Sequence, residues 1–234
     1  EYDPFKYNSF AVNAGDQVHR LTSRIRDEIE ALDAAGKLAE LPPILAFQSV
    51  ADATVSVSAV VETLFSRLPQ GGHELVMFYI NRLQELQPLI GNDDGPRVES
   101  LLAQAAPTFT LSFLTIENPS SRRMLMVQRR PEDPQLQRYP LDLDWPRGVF
   151  SLAHVALPFA PDDPLYGTEP PRQPDTLFLG NIAMRGENGV LQLTPATMLR
   201  LRWNPFYEHL EERTTKFLGL DDADEEATSA AVFQ

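Results

Sequence analysis

The sequence predicts an α/β fold in which parallel strands are flanked by helices. Two short apolar runs, residues 44–50 and 74–80, have the length and composition of buried strands in a parallel sheet. An amphipathic stretch, residues 56–68, lies between them, so the three segments predict a βαβ unit with a right-handed crossover. A longer stretch with helical periodicity, residues 16–35, precedes this unit.

The first predicted helix is bounded by recognisable end signals. Its apolar residues recur at steps of three and four, which places one face toward the core. These residues are Val18, Leu21, Ile25, Ile29 and Leu32. Asp16 is the expected N-cap and Gly36 the expected C-terminal stop.

The middle of the chain, residues 81–148, does not continue the alternation of strand and helix. A helix is expected at residues 97–104. The β-rich runs 108–116 and 123–129 are joined by a turn of Asn, Pro and Ser, which predicts a hairpin. The proline-rich stretch 131–146 is expected to be ordered only by its packing on the rest of the chain. A last helix is expected at residues 205–218.

Length and composition restrict the partners. The 234 residues suit one large domain or two small ones. The formal charge of −13 would repel a phosphate backbone, so no nucleic-acid partner is expected. No run approaches the roughly 18 apolar residues of a transmembrane helix. The sequence contains no cysteine, which excludes thiolate chemistry by this chain.

Asp52 is the first candidate functional residue. It lies just past the carboxyl end of a predicted buried strand, where open parallel sheets form their ligand sites. A carboxylate at this edge can orient an imidazole and stabilise its protonated form. The alternative is that Asp52 only caps the following helix by accepting backbone N–H groups.

His154 is the second candidate. It lies on an irregular apolar segment after the second predicted strand, where a general base with a near-neutral pKa would be useful. The alternative is a histidine satisfied within the core. The other three histidines, His19, His73 and His209, are most simply surface residues.

Metal and nucleotide sites have little support. His154 with Asp162 and Asp163 offers nitrogen and oxygen ligands, but their spacing fits no zinc pattern. The 12 glycines form no phosphate-binding loop, so no cofactor is expected.

Several segments resemble a group of bacterial α/β-fold hydrolases of the serine esterase or lipase type. They are YDPFKYNSF (2–10), FQSVADATV (47–55), SLAHVALPF (151–159), DDPLYG (162–167) and RWNPFY (202–207). The resemblance covers nearly the whole chain, but only as the carboxyl-terminal part of such a fold. It implies that residues 1–80 and 149–220 are hydrolase core, 81–148 an insertion with a β-hairpin, and 221–234 an acidic tail.

The resemblance also implies roles for the two candidates. Such enzymes carry a Ser-Asp-His order along the chain, so Asp52 and His154 would be triad members acting on a small acyl ester. No Gly-x-Ser-x-Gly motif occurs in the sequence. The nucleophile is therefore expected on a missing amino-terminal segment, and this chain alone should be inactive. If the hairpin covered the site, Phe109, Phe113 and Met124 could line an acyl pocket, but plain core packing is the favoured interpretation of these three residues.

A second hypothesis is a non-catalytic interaction domain that keeps hydrolase-like packing. It predicts that Asp52 and His154 do not lie within hydrogen-bonding reach of each other.

Overall fold

A computed structural model describes residues 12–52, 55–91, 94–103, 108–149, 151–155, 157–170, 172, 178–179 and 201–220. The chain divides into two compact units. Unit 1 comprises Glu1–His154 with Met184–Arg200, and unit 2 comprises Val155–Ala183 with Leu201–Gln234. Among the described helices, none combines the length and apolar character that crossing a bilayer requires.

Unit 1 is built on a mixed sheet of five strands in the order β1-β2-β3-β4-β5. The first three strands are parallel, whereas β4 is antiparallel to both β3 and β5. The strands are β1 (Leu45–Ser49), β2 (Glu74–Tyr79), β3 (Thr110–Ile116), β4 (Arg123–Arg130) and β5 (Asp133–Asp144). With its flanking helices this sheet is an α/β fold, as expected. The predicted hairpin of β3 and β4 is also present, and it extends the sheet.

Helices flank and connect the strands. They are α1 (Val12–Ala34), α2 (Val57–Ala59), α3 (Gly95–Ala103) and, in unit 2, α4 (Tyr207–Phe217). The segment after α2 is irregular, with a π turn at Val60–Leu64 and a 3-10 turn at Phe65–Arg67. A helical segment therefore lies between β1 and β2 where the sequence predicted one, but only its first turn is an α-helix.

Of the two end signals predicted for α1, only the one at the carboxyl end is confirmed. Gly36 has φ +66°, and the Lys37 N–H donates to the Leu32 carbonyl at 2.8 Å, as in a left-handed glycine C-cap. The N-cap prediction for Asp16 is wrong because the helix begins four residues earlier. Asp16 instead pairs with Arg20 at 2.9 Å within the helix.

The apolar stripe of α1 is largely exposed in unit 1. Val18 and Leu21 each expose 60% of their surface and Ile25 exposes 46%, whereas Ile29 exposes only 8%. The stripe therefore meets the core only near its carboxyl end.

The main core lies between the sheet and the helical segment that follows β1. Phe65 and Phe109 pack with ring centroids 4.9 Å apart, and Phe113 belongs to the same cluster. Met124 is also buried, at 1% exposure. The hairpin extends the sheet, and Phe109 and Phe113 belong to the core, so the prediction of plain core packing is confirmed for these two and the alternative of an acyl pocket is not.

β5 is an element that the sequence did not predict. Proline cannot donate a ladder hydrogen bond and is confined to edge strands or bulges. Pro134 and Pro140 lie in β5, which ends the strand order and pairs with β4 across two register irregularities. The stretch 131–146 is therefore mostly an edge strand rather than irregular chain.

The sheet topology determines where the segment containing His154 begins. The chain reverses direction at β4 and again at β5, so β5 points the same way as β1, β2 and β3. All four strands end at one edge, here called the carboxyl edge. A turn follows β5, in which the Trp145 ring N–H donates to the Val149 carbonyl at 3.0 Å.

Unit 2 is held by buried polar contacts of its own. The Asn204 side chain donates to the Val155 carbonyl at 2.9 Å, and the Asn204 N–H donates to the Phe159 carbonyl at 2.7 Å. A tight turn near Gly167 leaves no room for a side chain, since a Cβ there would lie 2.4 Å from the Asp163 carbonyl oxygen. Helix α4 follows Asn204.

Candidate functional site

The structure brings Asp52 and His154 together. Asp52 follows β1 at the carboxyl edge, and His154 lies on the segment that follows β5. The His154 Nε2 atom is 3.7 Å from Asp52 Oδ1. The Asp52 side chain is 12% exposed and that of His154 is 33% exposed. The two groups therefore meet in a partly solvent-shielded position.

The local structure of Asp52 separates the two interpretations made from the sequence. Its Oδ1 accepts the Val55 N–H at 3.0 Å, which holds the carboxylate in the turn after β1. The N-cap of α2 is Ser56, whose hydroxyl accepts the Ala59 N–H at 3.3 Å. Asp52 thus fixes the turn that leads to the helix, but it is not the helix cap.

His154 is not enclosed in the core, although the residues before it are. Ser151, Leu152 and Ala153 are completely buried, while the imidazole itself is one-third exposed. The chain therefore leaves the core at His154, with its side chain partly open to solvent.

The geometry of the pair differs from the usual triad in two respects. The distance of 3.7 Å exceeds a hydrogen bond, which is the outcome that the interaction-domain hypothesis predicted, and the contact becomes an ion pair only when the imidazole is protonated. In the triad template the aspartate faces Nδ1, whereas here it faces Nε2.

Asn81 is a site residue that the sequence analysis missed. Its Nδ2 donates to the Leu152 carbonyl at 3.0 Å, and the Leu152 N–H donates to its Oδ1 at 2.9 Å. Asn81 follows β2, the strand between β1 and β3. The signal available in the sequence was an amide side chain just after a buried strand, at the edge where Asp52 was also expected.

Arg97 supplies a positive charge close to the turn of Asp52. Its Nη1 donates to the Val50 carbonyl at 3.0 Å and lies 3.5 Å from Asp94 Oδ1. Arg97 belongs to the first turn of α3, so this helix and β1 are joined at the carboxyl edge. The guanidinium thereby holds the chain two residues before the candidate carboxylate.

His73 is not a surface residue, and that prediction is wrong. It is 2% exposed, and its Nδ1 accepts the Ile44 N–H at 3.1 Å at the start of the sheet. Burial lowers the pKa of His73 below its ordinary value, because the charged imidazole would lose its hydration. His19 lies exposed on α1, as expected.

Within the part of the chain that the structure describes, no group of three His, Cys, Asp or Glu side chains could hold a metal ion. Asp163, a ligand in the weakly supported metal hypothesis, has another task. Its Oδ1 accepts the Leu165 and Tyr166 N–H groups at 2.9 and 2.7 Å, which stabilises the turn before Gly167.

Comparison with known proteins identifies no relative. The chain matches no family model, no curated protein and no solved structure.

Proposed function

We propose that the chain is the carboxyl-terminal part of a serine hydrolase that cleaves carboxylic esters, with His154 as general base and Asp52 as its charge partner. The observation that carries this proposal is the 3.7 Å approach of the two side chains at the edge where parallel strands end. Crevices at this edge are the usual ligand sites of open α/β sheets.

The proposed chemistry follows the established acyl-transfer sequence. A serine hydroxyl attacks the ester carbonyl while His154 accepts its proton, and the imidazolium then protonates the departing alcohol. Water, deprotonated by the same imidazole, releases the acid and restores the serine. Because Asp52 faces Nε2, transfer in the observed ring orientation would use Nδ1, and Asp52 would stabilise the positive ring at 3.7 Å.

The nucleophile is proposed to reside on an amino-terminal segment outside this sequence. The absence of Gly-x-Ser-x-Gly supports this location. Two features of unit 1 also support an additional segment. The α1 stripe of Val18, Leu21 and Ile25 is exposed, and β1 has a neighbouring strand on one side only among the described residues. Apolar stripes and unpaired strand edges are surfaces that partner segments cover.

The test compares this chain with the complete gene product that contains it. Hydrolysis of p-nitrophenyl acetate, butyrate and octanoate is measured, together with labelling by a fluorophosphonate probe. We expect activity and labelling in the complete protein only, with the label on a serine outside these 234 residues. His154→Ala should lower kcat by about 10⁶-fold and Asp52→Asn by about 10⁴-fold, as for the base and the aspartate of a triad.

Matched substitutions provide the controls. His19→Ala, on the exposed face of α1, and Asp142→Asn, exposed on β5, should leave kcat within about twofold. Full activity of the His154→Ala variant would refute the assignment of the base. A complete protein that neither hydrolyses the esters nor reacts with the probe would favour the non-catalytic interaction domain instead.

A further inference from the structure

We propose that Asn81 is a positioning residue that holds His154 beside Asp52. The inference deepens the proposed function and rests on it for its catalytic consequence, but its structural part can be tested without any activity. Asn81 hydrogen-bonds to the backbone of Leu152 and is not proposed as a reacting group. It acts through the backbone of Leu152, two residues before the imidazole.

The first argument is the form of the contact. The amide of Asn81 uses both its donor and its acceptor on one residue, at 3.0 Å to the Leu152 carbonyl and 2.9 Å from the Leu152 N–H. A two-point contact fixes the direction of a backbone as well as its distance. A neutral amide side chain offers a donor and an acceptor held at a fixed spacing in one plane.

The second argument is the place of the anchor. Asn81 follows β2, which is buried over nearly its whole length and pairs with a strand on each side. Leu152 is fully buried at the carboxyl edge and lies 71 residues further along the chain. The segment containing His154 is thus tied to a rigid central strand, which neighbours the strand preceding Asp52.

The third argument is that the Asp52–His154 contact has no hydrogen bond of its own to fix it. A contact of 3.7 Å is longer than a hydrogen bond, so it does not by itself fix the imidazole beside the carboxylate. Asp52 accepts the Val55 N–H, and Asn81 holds the backbone two residues before His154. Without Asn81, the buried Leu152 N–H and carbonyl lose these partners, and we expect the imidazole to move away from the carboxylate.

The structural test measures coupling between positions 52 and 154 by NMR of this chain with ¹⁵N-labelled histidine, at constant pH. The His154 resonances are assigned by their loss in His154→Ala. Asp52→Asn should shift the His154 Nε2 resonance in the wild-type background, and should shift it less than one-fifth as far in the Asn81→Ala background. Asn118→Ala is the control, because the Asn118 Oδ1 accepts the N–H of nearby Ser120 in an exposed turn.

The kinetic test uses p-nitrophenyl butyrate and the complete gene product. Asn81→Ala should lower kcat by about 10- to 100-fold with KM within about twofold, as expected for a misplaced base. Asn81→Ser, which can keep one hydrogen bond, should show smaller changes in both tests and replaces Asn81→Ala if that variant fails to fold.

The outcomes separate the two proposals. The positioning role is refuted, whatever the activity, if Asp52→Asn shifts the His154 Nε2 resonance as far in the Asn81→Ala and Asn81→Ser backgrounds as in the Asn118→Ala background. If the coupling is lost but the complete wild-type protein has no esterase activity, the positioning role stands and the hydrolase proposal fails.

Discussion

Replacing His73 with leucine should destabilise the start of the sheet. The change removes the Nδ1 atom that accepts the Ile44 N–H at 3.1 Å, while leucine retains much of the side-chain volume at this buried position. Leaving a partly buried N–H without its partner costs about 1–2 kcal/mol. For a chain of this length, that corresponds to a fall in Tm of roughly 3–6 °C. His73→Asn should be less destabilising, because its Oδ1 can take the place of Nδ1.

The same histidine should make stability depend on pH in a defined direction. Burial lowers the pKa of His73 in the folded chain, so the unfolded chain binds the proton more readily. The stability supplied by the neutral ring is therefore complete above about pH 6.5, the unfolded pKa, and is lost as pH falls through the folded pKa. Protonated Nδ1 can no longer accept the Ile44 N–H.

The assay is thermal unfolding followed by circular dichroism at several pH values between about 7.5 and 5. The difference in Tm between wild type and His73→Asn should shrink as the pH falls. His19→Leu, at an exposed position of α1, should keep the wild-type pH dependence. Two results would refute the reasoning. One is that Tm depends on pH in both His73 variants as it does in the wild type. The other is that His73→Asn and His73→Leu lower Tm equally at pH 7.5.

Two further substitutions test packing in the two units. Ser112→Ala should cost about 1–3 kcal/mol, because the hydroxyl joins the buried side chains of Glu74 and Gln128 at 3.2 and 2.9 Å, and urea unfolding measures the loss. Gly167→Ala should lower Tm more than Gly36→Ala. The Gly167 methyl would overlap backbone atoms, whereas Gly36 has open space and only its φ of +66° to maintain.

The strand and helix content of unit 1 could largely be predicted from the sequence. The apolar runs of β1 and β2 are short, continuous and bounded by turn residues, so composition alone indicates buried strands. β5 could not be found in this way. Its prolines argue against a strand in general, and only its place at the end of the strand order makes them acceptable.

Periodicity gave the position of α1 but overstated its burial. A stripe of apolar residues indicates one face of a helix, yet it does not say whether anything covers that face. Only the part near Ile29 is buried, whereas Leu21 and Val18 are exposed. The environment of His73 was missed for a related reason, because its partner, the backbone of Ile44, lies on a different part of the chain.

The meeting of Asp52 and His154 was predicted from the order of motifs and from a family resemblance, and the coordinates place the two side chains 3.7 Å apart. Their catalytic roles stay a prediction. The sequence shows that Asn81 is an amide just after a buried strand, but it does not show the partner of that amide, which lies 71 residues further along the chain. The reversed ring orientation, with Nε2 toward the carboxylate, is likewise a property of the packed loop.

The chain reverses direction at β4 and again at β5. Whether His154 lies at the carboxyl edge therefore depends on an even number of reversals and not on the length of the strands. Each added strand carries the chain to the opposite end of the sheet, roughly 25 Å away for a strand as long as β4. A pair of strands cancels that displacement. A long insertion that contains two reversals can therefore separate Asp52 from His154 in the sequence while both residues stay at the carboxyl edge.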